Sequence, residues 1–164
     1  MGKVLIVSDN HGRIDTLKKI IDMEKPVDLV IHCGDSEMTD IIPTLTKHSD
    51  ARVYAVSGNC DIFSDLPSRA DFDYMGHHIL VVHGHYDNVS YGTHELYRKA
   101  KMTGSDIVFF GHTHVPFLRK DDGVTFANPG STDKPRQTSR ESTYMIMSVD
   151  ETSGPDFEIK KCFI

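Results

Sequence analysis

Five short polar clusters carry the residue types that can do chemistry in this chain: Asp9-x-His11, Gly34-Asp35, Gly58-Asn59, His83 and His112-x-His114. The fullest is the stretch Phe109-Phe110-Gly111-His112-Thr113-His114-Val115-Pro116, where the apolar run Ile107 to Phe110 stops at a glycine and presents two histidines. A spacing of two on extended backbone sends both imidazoles to the same side, with Thr113 facing away. Carboxylate and imidazole groups gathered in this way are donors for a divalent cation. Each cluster also has a plainer explanation. An Asp after a strand caps the next helix, a Gly-Asn makes a turn, and a single His packs as an ordinary polar residue. Five clusters in one topological position, jointly supplying Asp, His and Asn, exceed what caps and turns account for.

The elements that must position them are legible as apolar runs. Val4 to Val7 reads as a strand buried on both faces. After it, Ile14, Leu17, Ile20 and Ile21 recur at helical spacing until Pro26. Strand-loop-helix order makes a parallel sheet the first expectation, with ligands gathered at the carboxyl ends of the strands. Val27 to His32 and Arg52 to Val56 are further strands, separated by a helix over about Asp40 to Lys47 that carries Pro43 near its first turn. Residues 62–69 read as a loop. Asp71 to Met75 and His78 to Val82 form a hairpin around Gly76, Glu95 to Met102 a helix, and Gly104 its C-cap. Val115 to Arg119 and Val124 to Ala127 flank Asp121-Asp122-Gly123, a hairpin signal, and Asn128-Pro129-Gly130-Ser131 reads as a tight turn. The polar stretch 133–142 reads as a surface loop, before strands over Tyr144 to Val149 and Phe157 to Cys162.

Composition narrows the function classes. A chain of 164 residues is read as one domain, 1–164, long enough to bury roughly 70% of its unfolded surface. The net charge of −6 without a Lys/Arg cluster argues against a nucleic-acid-binding face. No apolar run approaches the ~20 residues of a membrane span, and the N-terminus enters Lys3-Val4-Leu5-Ile6-Val7 without a signal-peptide cleavage site. Three widely spaced cysteines, Cys33, Cys60 and Cys162, do not make a disulfide framework. A cytoplasmic protein is expected, with no membrane partner, and a homo-oligomer is compatible with the sequence.

In their order, the five clusters resemble the calcineurin-like metallophosphoesterases, whose pattern is Asp-x-His, Gly-Asp, Gly-Asn-His-Asp/Glu, His and Gly-His-x-His. The resemblance spans Ser8 to Ser131. It is closer to the short YfcE/MJ0936-like phosphodiesterases, through Ser-Asp-x-His-Gly, Gly-Asn-Cys-Asp, His-Gly-His, Gly-His-Thr-His and Asn-Pro-Gly-Ser. It implies an α/β fold, a four-layer α-β-β-α sandwich of two facing mixed sheets flanked by helices. It implies two divalent ions, Mn²⁺ first, with Fe, Zn²⁺ or Ni²⁺ also suited. Asp9, His11 and His114 would hold one ion and Asn59, His83 and His112 the other, with Asp35 between them. The implied reaction is hydrolysis of a small phosphodiester by a metal-bridging hydroxide, at a locally positive site inside an acidic protein.

This sequence departs from the family pattern at two points. Met38 stands where an acidic residue often follows Gly-Asp, leaving Glu37 or Asp40 to supply a carboxylate behind the ligands. Cys60 replaces the usual His of Gly-Asn-His, and its simplest role is that of a small buried residue. Asp35, Asn59, Cys60 and His85 are the catalytic candidates. Asn59, His85 and Arg136 are candidates for substrate contact, and Asp61 is expected to orient ligands. His32, His48, His77, His78 and His94 belong to no motif. The retromer subunit Vps29 resembles the same fold and works as an interaction platform, so a metal-binding protein scaffold is the alternative, disfavoured here because all seven ligand positions match.

Overall fold

The computed structural model describes residues 1–162. Its elements run β1 (Gly2–Val7), α1 (Ile14–Glu24), β2 (Leu29–His32), α2 (Ile41–Ser49), β3 (Arg52–Ala55), β4 (Arg69–Tyr74), β5 (His77–Val82), α3 (His94–Thr103), β6 (Ile107–Phe109), β7 (Pro116–Asp121), β8 (Val124–Pro129), β9 (Thr143–Asp150) and β10 (Gly154–Lys161). One sheet has the order β10-β9-β1-β2-β3 and the other β4-β5-β6-β8-β7. Strands β1, β2 and β3 are parallel, as are β5, β6 and β8, while β9, β10, β4 and β7 pair antiparallel with their neighbours. The sheets are therefore mixed. The parallel expectation holds for these six strands, which are the ones that carry the site.

Strict alternation along these strands divides the apolar residues among three cores. Val4, Ile6, Leu29, Ile31, Ile79 and Phe109 point between the two sheets. Their neighbours Leu5, Val7 and Val30 point outward onto Leu17, Ile20 and Ile21 of α1 and Ile41 and Leu45 of α2. On the second sheet Leu80, Val82 and Val108 point outward onto Leu96 and Ala100 of α3. The layers are thus helix, sheet, sheet, helix. Burying each large side chain contributes roughly 1.5–3 kcal/mol, so the central strands are firmly anchored at the ends where the polar clusters begin.

Local geometry explains the boundaries. The turns Met75-Gly76 and Asp122-Gly123 each have two consecutive residues at positive φ, the mirror-image turn that suits tight hairpins. Gly104 caps α3 in the left-handed conformation, its N–H bonded to the Ala100 carbonyl. Pro43 is the third residue of α2, where its missing N–H costs nothing. Asn128-Pro129 is not a turn: both residues belong to β8, pairing with Phe117 and Pro116 of β7, and the chain turns only after them. The second strand starts at Leu29, two residues later than Val27, because Asp28 instead bonds back to Lys3. Among the described residues no helix is long and apolar enough to cross a membrane.

Candidate metal centre

Every polar cluster emerges at the carboxyl end of one of the parallel strands, and the two sheets bring these ends to one edge. Asp9 and His11 follow β1, Asp35 follows β2, Asn59 follows β3, His83 follows β5, and His112 and His114 follow β6. Cross-sheet hydrogen bonds lock them together. His83 Nδ1 donates to the Cys33 carbonyl (2.7 Å), and the His112 N–H donates to Asp9 Oδ2 (3.2 Å). Ser131, after β8, donates its hydroxyl to the Asp9 carbonyl (2.8 Å).

The backbone here departs from the extended geometry expected of His112-x-His114. Asp9, His11, Asp35, His112 and His114 all have positive φ, between 44° and 69°. Asp and His tolerate this region better than most residues, at a cost of order 1–3 kcal/mol for each strained position. Strand β6 ends at Phe109, so the two imidazoles are aimed by separate left-handed kinks rather than by strand alternation. The consequence is that they reach different parts of the site. Asn128 shapes this loop, its Nδ2 donating to the Gly111 carbonyl (2.9 Å) and to Thr113 Oγ1 (3.1 Å). Glycine is required at Gly58 and Gly111 for close approach. A Cβ at Gly58 would lie 2.1 Å from Asp35 Oδ1, and one at Gly111 would lie 2.1 Å from Ser8 Oγ and 2.8 Å from Asp9 Oδ2.

One ligand atom from each of Asp9, His11, Asp35 and His114 lies within 4.8 Å of the others. Outer contacts fix which ring nitrogens face inward. His114 Nδ1 must donate to the Lys134 carbonyl (2.6 Å), and His11 Nδ1 donates to Glu37 Oε1 (2.7 Å). In the neutral rings both Nε2 atoms therefore carry a lone pair, and they face each other at 3.2 Å. Asp9 Oδ1 lies 3.2 Å from the His114 Nε2. Beside them, His83 Nε2 is 3.4 Å from Asp35 Oδ2, and on the exposed side Asn59 Oδ1 is 3.1 Å from His112 Nδ1. Asp9 Oδ1 and His83 Nε2 are fully buried without a hydrogen-bond partner among the described residues. Buried polar atoms are normally paired, so an unpaired buried carboxylate oxygen among inward-facing imidazole nitrogens fits a cation.

Asp61 ties the loops together. Its carboxylate accepts from the N–H groups of Asp35 (2.8 Å), Gly58 (2.7 Å) and Glu37 (2.7 Å) and from Ser36 Oγ (3.2 Å). Of Glu37 and Asp40, Glu37 is the one that reaches this cluster, through His11. Asp40 precedes α2 and accepts from Thr44 Oγ1. Cys60 is half-exposed rather than buried: its N–H donates to Asp35 Oδ1 (2.8 Å), which pins the backbone and leaves the thiol on the rim. The His85 ring lies tilted against Tyr86 and 5.3 Å from His83, ring centre to ring centre, with its Nδ1 buried and unpartnered among the described residues. Arg136 is exposed, and its backbone N–H bonds to the His114 carbonyl (3.1 Å). The histidines without a motif lie outside the cluster. His32 is closest, buried beneath it, with Nε2 on Asn10 Oδ1 and Nδ1 accepting from the Gly34 N–H.

Electrostatics agree with this placement. Burial works against the Asp35 carboxylate, yet His83 and the Cys60 N–H hold it well below the usual range. Burial pulls His83 down, but Asp35 and Asp9 carry it above an ordinary histidine. His112 and His85 are pushed down by burial and then by the charge of His83, and Arg136 is near enough to depress His112 further. Burial and the nearby Asp35 charge push the Cys60 thiol up to about 11, so it stays protonated at neutral pH.

Residues 3–152 match the calcineurin-like phosphoesterase superfamily domain. The chain belongs to this family. Among curated phosphoesterases it is 37% identical over 153 residues to a protein named probable metallophosphoesterase YsnB of Bacillus subtilis, covering 92% of this chain and 86% of the relative. It is 28% identical over 147 residues to the phosphodiesterase MJ0936 of Methanocaldococcus jannaschii, covering 78% and 82%. A crystal structure of a predicted phosphoesterase from Streptococcus pneumoniae superposes with a TM-score of 0.81 at 26% identity, over 97% and 98% of the two chains. Vacuolar Protein Sorting 29 from Cryptosporidium parvum superposes with a TM-score of 0.76 at 16% identity, over 98% and 97%, a likeness of fold alone.

Proposed function

We propose that the chain is a metal-dependent phosphodiesterase. In this reading Asp9, His11 and His114 hold one divalent ion, Asn59, His83 and His112 hold a second, and Asp35 touches both. The observation that carries it is the convergence of the orphaned Asp9 Oδ1 and His83 Nε2 with the facing Nε2 atoms of His11 and His114. The donors are nitrogen and oxygen without a thiolate, a set suited to Mn²⁺ and also to Fe, Zn²⁺ or Ni²⁺. When bound, two such ions supply an activated water at neutral pH and positive charge against the phosphoryl oxygens.

The chain's own residues do the positioning. Glu37 and the Lys134 carbonyl hold the His11 and His114 rings, and Asp61 holds Asp35. Arg136 brings an exposed guanidinium to the His112 side for a phosphoryl oxygen. His85, beside His83, and Cys60, beside Asp35, are the two groups that would meet the ester's departing alcohol. Preference for a diester is supported by the relative named phosphodiesterase MJ0936. A scaffold role draws on the fold shared with Vacuolar Protein Sorting 29; the converging ligand atoms of Asp9, His11, Asp35 and His114, with Asp9 Oδ1 and His83 Nε2 orphaned among the described residues, favour the enzyme.

The test is hydrolysis of bis(p-nitrophenyl) phosphate and p-nitrophenyl phosphate by protein stripped with a chelator and then reloaded with Mn²⁺. Diester hydrolysis is expected to vanish on stripping, return with Mn²⁺ and exceed monoester hydrolysis. Activity that survives complete removal of metal, or none with any of the four metals, overturns the reading.

A further inference from the structure

Next to the metal centre lies a cavity that the ligand set does not use. It has a volume of about 290 Å³, and Glu37, Met38, Cys60, Asp61, Ile62 and Phe63 line it. It abuts the site directly: Glu37 is bonded to His11, and ligand atoms of His11, Glu37 and Cys60 lie within 4.8 Å of one another. Its outer wall is unusual for a soluble surface, with consecutive Ile62 and Phe63 at 79% and 89% exposure. Both occupy the tip of a turn closed by the Ser64 N–H on the Asp61 carbonyl (3.2 Å), and the Asp61 side chain is itself anchored in the ligand loops. Farther along, the Ser57 N–H bonds the Pro67 carbonyl and the Leu66 N–H bonds Ser64 Oγ. The apolar tip is therefore held outward by the turn's hydrogen bonds and by the anchored Asp61 side chain, and the entropy of ordering it has been met in folding.

Resting on the phosphodiesterase reading, we infer that this cavity is a specificity subsite for a planar aromatic group on one of the ester's two alcohols. Met38, Cys60, Ile62 and Phe63 offer aliphatic, sulfur and aromatic surface to an uncharged ring, contacts that favour flat apolar groups. The Glu37 carboxylate on the same wall excludes a further phosphate or carboxylate from the cavity. Its size suits one ring rather than a partner's helix or strand. With the phosphate over the donors and the ring in the cavity, Phe63 selects which diesters bind.

Calorimetric titration of the Mn²⁺-loaded protein with phenyl phosphate, methyl phosphate and uridine 5′-monophosphate tests this by binding alone. Phenyl phosphate is expected to bind tighter than methyl phosphate by on the order of tenfold. Phe63→Ala should bring the two within about twofold by weakening only phenyl phosphate, and Phe63→Tyr should keep the difference. Exposure of Phe63 makes both variants safe for folding. Uridine 5′-monophosphate matching phenyl phosphate assigns the group as a nucleobase, and matching methyl phosphate assigns it as a simple aryl ester. Equal affinity of phenyl and methyl phosphate, or indifference to Phe63→Ala, overturns the subsite and leaves the phosphodiesterase reading standing. Self-association abolished by Phe63→Ala overturns it in favour of a protein contact. Failure of all three to bind overturns both.

Discussion

Glu24, on the helix side of the first sheet, and Asp9, at its carboxyl edge, are both carboxylates with almost no solvent contact, at 4% and 0% exposure. Their surroundings differ. Glu24 lies 2.9 Å from Lys3 Nζ, accepts from Tyr144 Oη at 2.6 Å and pairs with Lys160, so both its oxygens are met. Asp9 Oδ2 accepts from Ser8 Oγ and the His112 N–H, but Oδ1 faces bare imidazole nitrogens and has no partner among the described residues. Burial of a charge is common to structural and functional groups. What separates them is unmet valence: Glu24 is a closed ion cluster on ordinary helical backbone, whereas Asp9 is an open one on strained left-handed backbone.

The largest test of this contrast is to remove a donor from each cluster. Asp35→Asn is expected to lower both bound ions together and reduce diester hydrolysis by more than about a hundredfold, beyond the ~10–100-fold typical of an outer partner such as Glu37. Glu24→Gln should leave metal content unchanged. Elemental analysis of metal per chain alongside the diester assay checks both, and an Asp35→Asn protein that retains two ions would sink the bridging assignment.

The two regions were unequally legible in the sequence. Strand ends could be read because the runs before Asp9, Asp35, His83 and His112 are apolar on both faces, and in a covered parallel arrangement such ends must meet. Groups that hold the ligands left weaker signals. The Cys33 and Lys134 carbonyls that set the His83 and His114 tautomers are backbone atoms with no side-chain signature. Glu37 and Asp40 were equivalent by spacing until the turn at Glu37, φ 54°, pointed one of them at His11. The left-handed kinks at His112 and His114 were hidden because neither is glycine, and a His-x-His reads naturally as extended chain. The Glu24 cluster joins residues 21, 120 and 136 positions apart, a combination that only the folded sheet brings together.

Glu24 provides the second test, one of stability. Burial alone would raise its carboxyl, but Lys160, Tyr144 and Lys3 bring it down to about 2 from an ordinary 4.5. A depressed folded-state value means its contribution is complete above about 4.5 and is lost as the pH falls toward 2. Breaking a buried pair typically costs ~3–5 kcal/mol; because the lysines are about one-third exposed and can turn to water, Glu24→Gln is expected to cost about 1–3 kcal/mol at pH 7. That corresponds to roughly 2–4 °C in Tm for each kcal/mol. Urea titrations from pH 7 to 2.5 check the sign, since the gap between wild type and variant should narrow as the pH falls. A gap that widens toward acid, or none at pH 7, would show that the cluster is not closed in the way its contacts indicate.

Asp9 gives the smallest and most diagnostic effect, because its sign should depend on metal. In stripped protein the Asp9 carboxylate presents Oδ1 to the His114 Nε2 lone pair at 3.2 Å, with the His11 Nε2 beside it. Asp9→Asn removes the buried charge, and an amide N–H on that side can donate to the His114 nitrogen. An unsatisfied buried group costs ~1–3 kcal/mol, and an amide recovers only part of that, so a gain of about 1 kcal/mol is expected in the absence of metal. The measurement belongs at pH 9, where an ordinary imidazole is neutral and cannot relieve the carboxylate by protonation. With Mn²⁺ added the order should reverse: whatever binds only the folded state stabilises it by mass action, and the variant has lost a charged donor to that binding. Glu24→Gln serves as the control, destabilising with metal and without it. If stripped Asp9→Asn is instead less stable than wild type, the Asp9 carboxylate is already satisfied as Glu24 is, and the distinction between open and closed carboxylates fails where it is most exposed to test.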